Sequence, residues 1–177
     1  MQGLSNVAWA CARMRMDTPI IGAVAAESVS RLDSFTPQGV SNLCWALAKL
    51  GVNSDPPVLA ALEQHAISHF PDYGGQAISM TLWGLARQGH KPSGLLQLVF
   101  SEIRNCCIQF SPDCIAAVMC AFAELQVKDT DVITAVTTRC IDNLDQYENK
   151  PHLLCSILWA VAALDAPGKK YVLTSRP

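Results

Sequence analysis

The chain has 177 residues, half of them hydrophobic and 16% charged, and a formal net charge of −2. That is enough chain for one domain with a continuous core. It excludes capture of nucleic acid by bulk positive charge, so any such binding has to rest on a local patch. Charged or polar residues interrupt every apolar run, which excludes a membrane-spanning helix and gives no reason to expect a membrane partner.

In chain order the predicted elements are pairs of helices, A then B. The first A helix is already under way at Gln2, and the chain turns at Met16 and Asp17. Asp17-Thr18-Pro19, a capping residue with Pro in the first turn, begins helix B, where Ile21, Val24, Ala25 and Leu32 keep helical spacing. Ser34 to Thr36 is a link, Thr36-Pro37 caps the second A helix, and Gly51 ends it. Ser54-Asp55-Pro56 starts a B helix whose buried stripe is Leu59, Leu62, Ala66 and Phe70, followed by a turn from Pro71 to Gly75.

The third A helix stops near Gly89, and Lys91-Pro92-Ser93 leads into Leu96, Val99, Ile103 and Cys106. Ser111-Pro112-Asp113 opens the fourth A helix. Asp129-Thr130-Asp131 opens a B helix carrying Ile133, Val136, Cys140 and Leu144, and Lys150-Pro151 opens the fifth A helix. Beyond Asp165, Lys169 to Pro177 has no amphipathic pattern and reads as a tail or the frayed start of another helix.

The A helices are copies of one another. Aligned on a single slot they place Trp9, Trp45, Trp83, Cys120 and Trp159 in one column, at separations of 36, 38, 37 and 39 residues. No stretch shows a strand pattern. The expected fold is therefore all-α: an α-solenoid of about five helix-turn-helix repeats of roughly 38 residues. The units are 1–34, 35–72, 73–110, 111–148 and an incomplete 149–166, with a tail at 167–177. Because the chain starts without a Thr-Pro cap and stops one helix into its fifth unit, a piece of a longer array or a truncated reading of the gene is expected, with any targeting peptide out of view.

Stepping about 100° per residue assigns the faces of helix A. In the second unit Val40, Leu43, Leu47 and Leu50 fall on one side, expected against helix B. The slots one and three after the Trp are small in every unit, as with Ala46 and Ala48 or Gly84 and Ala86, and lie on flanks where one A helix can approach the next. The remaining face carries Gln2, Ser5, Asn6, Trp9 and Arg13; then Gln38, Ser41, Asn42, Trp45 and Lys49; then Gln76, Ser79, Met80, Trp83 and Arg87. Units four and five break the pattern with Asp113, Ala116, Ala117, Cys120 and Glu124, and with His152, Cys155, Ser156, Trp159 and Ala163.

Amides for base edges, a ring for stacking and a cation for phosphate together make a kit for single-stranded RNA read by successive repeats. The candidate RNA-binding residues are Gln2, Asn6, Trp9, Arg13, Gln38, Ser41, Asn42, Trp45, Lys49, Gln76, Ser79, Trp83 and Arg87. A Trp that recurs in a helical repeat reads first as a packing wedge. Gln, Ser and Asn at helix starts also serve as caps or solvated surface. The Arg13, Lys49 and Arg87 column is the part best read as partner contact.

Eight cysteines with no C-x-x-C pair, mostly beside Ala, Leu and Ile, read as buried thiols in a reducing compartment rather than metal ligands or disulfides. His65 and His69, four apart on a B helix, read as a solvated face, since no third metal ligand is in sight. Gly74-Gly75-Gln76 reads as a turn and a helix start. There is no phosphate loop, nucleophile elbow or zinc-protease motif. No enzyme activity, metal or cofactor is expected.

The phrases Ser-Asn-Leu-Cys-Trp-Ala-Leu-Ala-Lys-Leu-Gly and Ser-Met-Thr-Leu-Trp-Gly-Leu-Ala-Arg-Gln-Gly, with the Pro-Gln entry at Pro37, resemble octotricopeptide repeats. Similar repeats occur in RAP-domain and FAST-kinase-like proteins and in helical subunits of a mitochondrial RNA-editing substrate-binding complex. The resemblance runs from Met1 to Leu164 and is strongest in units two and three. It implies an RNA-binding α-solenoid of a mitochondrion or chloroplast, acting in RNA stability, processing, translation or ribosome assembly. Cys120 for Trp and Asp113 for Gln depart from the pattern in unit four, and no segment resembles a RAP or kinase domain. The alternative from another class is a protein-binding scaffold within an organellar ribonucleoprotein.

Overall fold

The computed structural model describes residues 2–16, 20–52, 54–105 and 110–165. The expected cap at Asp17 to Pro19, the adjacent Cys106 and Cys107, and the tail lie outside the described residues. The A helices are α1 (Gln2–Arg13), α3 (Pro37–Lys49), α5 (Gly75–Arg87), α7 (Pro112–Leu125) and α9 (Pro151–Asp165). The B helices are α2 (Ile20–Val29), α4 (Pro56–Ser68), α6 (Ser93–Arg104) and α8 (Thr130–Asp142). No strand occurs among the described residues.

Local chemistry sets the helix ends. Thr36 Oγ1 accepts from the Gly39 N–H at 3.2 Å, Ser111 Oγ from Cys114 N–H at 3.4 Å, and Asp129 Oδ1 from Val132 N–H at 3.1 Å. Each satisfies one orphan donor of a first turn. At the other end, the residue six past the Trp slot turns left-handed in four successive units: Arg15, Gly51, Gly89 and Gln126 have φ of 53°, 67°, 74° and 52°. Gly adopts that conformation freely. Gln126 adopts it with its side-chain amide donating to the Ala123 carbonyl at 2.8 Å.

Two layers result, and they are not equivalent. Each A helix packs most closely on the next A helix, while successive B helices touch at far fewer places. The reason is the small flank: a Cβ on Gly84 would lie 2.6 Å from the Cys44 carbonyl oxygen, so α5 rests directly on the backbone of α3. The A layer is therefore the tightly packed one and the B layer the looser one.

The expected inward face is buried, with Val40, Leu43 and Leu47 sealed and Leu50 partly covered. The B-helix stripes Ile21, Val24, Ala25 and Leu59, Leu62, Ala66 are buried too. A second aromatic column escaped the helix pattern because it lies in the links. Phe35, Tyr73 and Tyr147 are buried and Phe110 is partly buried at the entries to successive A helices. It wedges each B helix against the A helix that follows.

Three expectations need correction. Leu144 is exposed, because helix α8 ends at Asp142 and Leu144 begins the 3-10 turn Leu144–Tyr147. Cys155 is exposed on α9, whereas Cys44, Cys114, Cys120 and Cys140 are buried free thiols. His65 is not solvated: it is buried, its Nδ1 lies 3.0 Å from the Tyr73 hydroxyl, and its ring stacks on His69 at 4.3 Å. Burial, and then the neighbouring His69, lower its pKa below the ordinary 6.5.

Candidate nucleic-acid interface

The A helices bury two sides, one against the B layer and one along the A stack, which leaves a third side open. The sequence stripe divides across that arrangement. Ser5, Ser41 and Ser79, expected on the open face, are buried instead. Ser41 Oγ donates to the Gln38 carbonyl and Ser79 Oγ to the Gln76 carbonyl, each at 3.0 Å. A Cβ on Gly39 would lie 3.5 Å from Ser5 Oγ, so this column faces the next A helix. The Ser41 and Ser79 hydroxyls satisfy backbone oxygens of their own helices, and Ser41 also borders the groove between α3 and α5.

The other rows stay accessible. Gln38 and Gln76 are exposed at the starts of α3 and α5, as is Asn6, while Asn42 and Met80 are half-buried. The side chain of Gln2 lies outside the described residues. Between the first turns of α3 and α5 runs a groove of about 500 Å³, whose lining includes Gln38, Asn42, Asp72, Gln76 and Met80 and no cation. Amides and one carboxylate suit the hydrogen-bonding edge of a neutral base better than a phosphate. Asp72 had no place in the sequence stripe, because it lies in the turn before the helix.

The Trp column is amphipathic in position as well as in chemistry. Trp45, Trp83 and Trp159 pack one side on the core and leave the rest open, while Trp9 is 41% exposed. The packing reading and the stacking reading therefore both find surface. At Trp9 the Arg13 guanidinium already sits over the ring, 5.6 Å from its centroid.

The cation column is uneven. Arg13 and Lys49 are exposed, and neither has an ion-pair partner among the described residues. Arg87 instead pairs with Glu124 of the next unit at 2.7 Å. Asp113, in the slot Gln holds in earlier units, pairs with Lys150 at 2.6 Å. Cys120, in the Trp slot of the same unit, is buried, and its thiol is pushed up to about 11 by burial and then by Glu124. Unit four thus presents neither ring nor free cation on this side.

Elsewhere the polar contacts are structural. Glu63 on α4 lies 2.7 Å from His90 Nε2 and accepts from the Gly94 and Leu95 N–H groups that open α6. Arg104 pairs with Asp129 between α6 and the start of α8. Among the described residues no group of three or more His, Cys, Asp or Glu could hold a metal ion. No helix among the described residues is long and apolar enough to cross a membrane.

A family model described as RNA-editing substrate-binding complex 6 protein matches residues 5–169, nearly the whole helical array. No curated protein matches the chain.

Proposed function

The chain belongs to the family of RNA-editing substrate-binding complex 6 proteins, and from that premise we propose that it binds single-stranded RNA along the open side of its A helices. The observation that carries the reading is the recurrence, in the first three units, of a half-open Trp with an Arg or Lys four residues on: Trp9 and Arg13, Trp45 and Lys49, Trp83 and Arg87. A base stacked on each ring contributes about 1–3 kcal/mol without demanding one sequence. The amides of Asn6, Gln38, Asn42 and Gln76 then add hydrogen bonds to base edges.

The protein acts without enzyme activity of its own, as an RNA-holding subunit of an organellar ribonucleoprotein in a mitochondrion or chloroplast, in the manner of the octotricopeptide repeats its units resemble. A second reading has an observation behind it: Cys120 and the Glu124 and Asp113 ion pairs make the face of unit four poor for RNA. That part serves better as a protein-binding surface within the same assembly.

The test is a salt titration of the affinity for a single-stranded oligonucleotide. With few phosphate contacts, log affinity falls linearly against log salt by about 0.7 per contact. Lys49→Glu is expected to weaken binding and flatten that slope. Wild-type affinity that ignores salt, or a Lys49→Glu protein that binds like wild type, removes RNA from the reading and leaves the scaffold.

A further inference from the structure

We propose that Glu124 withholds Arg87 from RNA, so that the phosphate track of the open face ends at the second unit; the inference rests on the RNA reading above. Arg87 and Glu124 occupy the same slot, four past the Trp column, in successive units. Because the A helices stack directly, residues in one slot are neighbours across a unit boundary, and the side chains meet at 2.7 Å while remaining 33% and 24% exposed. Both are therefore reachable from the open side. Lys49 and Arg13, one and two units earlier in the same column, have no ion-pair partner among the described residues.

A second cross-unit pair, Asp113 with Lys150, lies at the opposite end of the A helices and joins different slots. The cation column is thus split. In the slot four past the Trp column, units one and two carry cations with no ion-pair partner among the described residues, while the cation of unit three is cancelled by Glu124. A cation already held by a fixed carboxylate must break that pair before it can neutralise a phosphate, so it displaces few of the counterions condensed on the RNA and adds little to affinity or to salt dependence. A half-exposed ion pair is also weak. Removing the carboxylate therefore converts Arg87 into a third phosphate contact at small structural cost. Glu124 acts as a specificity-determining residue that limits the length of RNA held.

The experiment measures binding of a fluorescent single-stranded oligouridine to the whole chain by anisotropy, from about 50 to 200 mM salt, the range where counterion release is steep. Glu124→Gln is expected to tighten binding about five- to tenfold at the low end and to steepen the log–log slope by about 0.7, the increment of one extra contact on a single strand. Adding Arg87→Gln to that variant is expected to cancel both changes. Glu124→Ala gives a second route to the same release if the amide still holds the guanidinium. Melting curves of each variant establish that the stack is intact.

Wild-type binding with no gain in Glu124→Gln or Glu124→Ala overturns the masking and leaves the RNA reading standing. So does a gain that survives Arg87→Gln, which would mark a general loss of negative charge. If neither wild type nor the Glu124 variants bind the oligonucleotide, the RNA reading falls and takes the masking with it.

Discussion

Gly84→Ala adds one methyl group at the tightest point of the stack, and its expected effect can be worked from the contact distances. The added Cβ would lie 2.6 Å from the Cys44 carbonyl oxygen and 2.7 Å from its carbon, where ordinary contact begins near 3.4 Å. The helices α3 and α5 must separate by several tenths of an ångström, because the obstacle is backbone and cannot rotate away. Overpacking of this kind costs about 1–3 kcal/mol, against a gain of about 1 kcal/mol from replacing Gly by Ala in a helix. A net loss of about 1 kcal/mol is expected. Gly22→Ala in α2 supplies the contrast: nothing lies within 4 Å of its Cβ position, so the propensity gain of about 0.5–1 kcal/mol stands alone. Paired thermal melts followed by circular dichroism should place the two variants on opposite sides of wild type. At about 2–4 °C per kcal/mol for a chain of this size, the gap is several degrees. If Gly84→Ala is as stable as Gly22→Ala, α5 does not rest on the backbone of α3 there, and the tight packing of the A layer is wrong.

Three further outcomes follow from the core. His65 is held neutral in the folded chain with its pKa below the ordinary 6.5, while the unfolded chain takes up the proton. Its share of stability is therefore fully present above about pH 6.5 and declines as the pH falls below it. His65→Gln should flatten the fall in melting temperature between about pH 7.5 and 5.5, and an unchanged slope in that variant would assign the effect to other groups. Burial pushes the Cys44 thiol up to about 12, so iodoacetamide should modify exposed Cys155 in the folded protein and reach Cys44 only on unfolding; equal rates at the two would place Cys44 outside the core. Thr36→Ala removes the acceptor of the Gly39 N–H and should cost about 1 kcal/mol in denaturant titration. No loss there would mean that water caps α3 equally well.

The repeat made most of the fold legible. A column spaced by 36 to 39 residues, with Thr36, Ser111 and Asp129 as caps and Gly51 and Gly89 as stops, marks each helix before any contact is known. The helical wheel failed where a helix has three kinds of neighbour and the pattern distinguishes two. Ser5, Ser41 and Ser79 are polar, so periodicity assigns them to solvent; they are buried because small hydroxyls that bond to their own helix can face an adjoining helix closely. The link aromatics Phe35, Tyr73, Phe110 and Tyr147 share the repeat spacing but lie outside the α-helices, where helical periodicity carries no signal. The Arg87 and Glu124 pair had a visible signal: a change of sign within one column of a stacked repeat places opposite charges side by side. His65 had none, since its partner Tyr73 belongs to the same unlooked-for column.

The central claim, that RNA lies on the open side of the A helices, is tested most directly by photo-crosslinking. A single-stranded oligonucleotide carrying 4-thiouridine is bound and irradiated, and the modified peptides are identified by mass spectrometry. Crosslinks should fall in α1, α3 and α5, at or beside Trp9, Asn42, Trp45, Gln76 and Trp83, and should thin out from α7 onward. Crosslinks concentrated in the B helices α2, α4 and α6, or spread evenly over both layers, would contradict it.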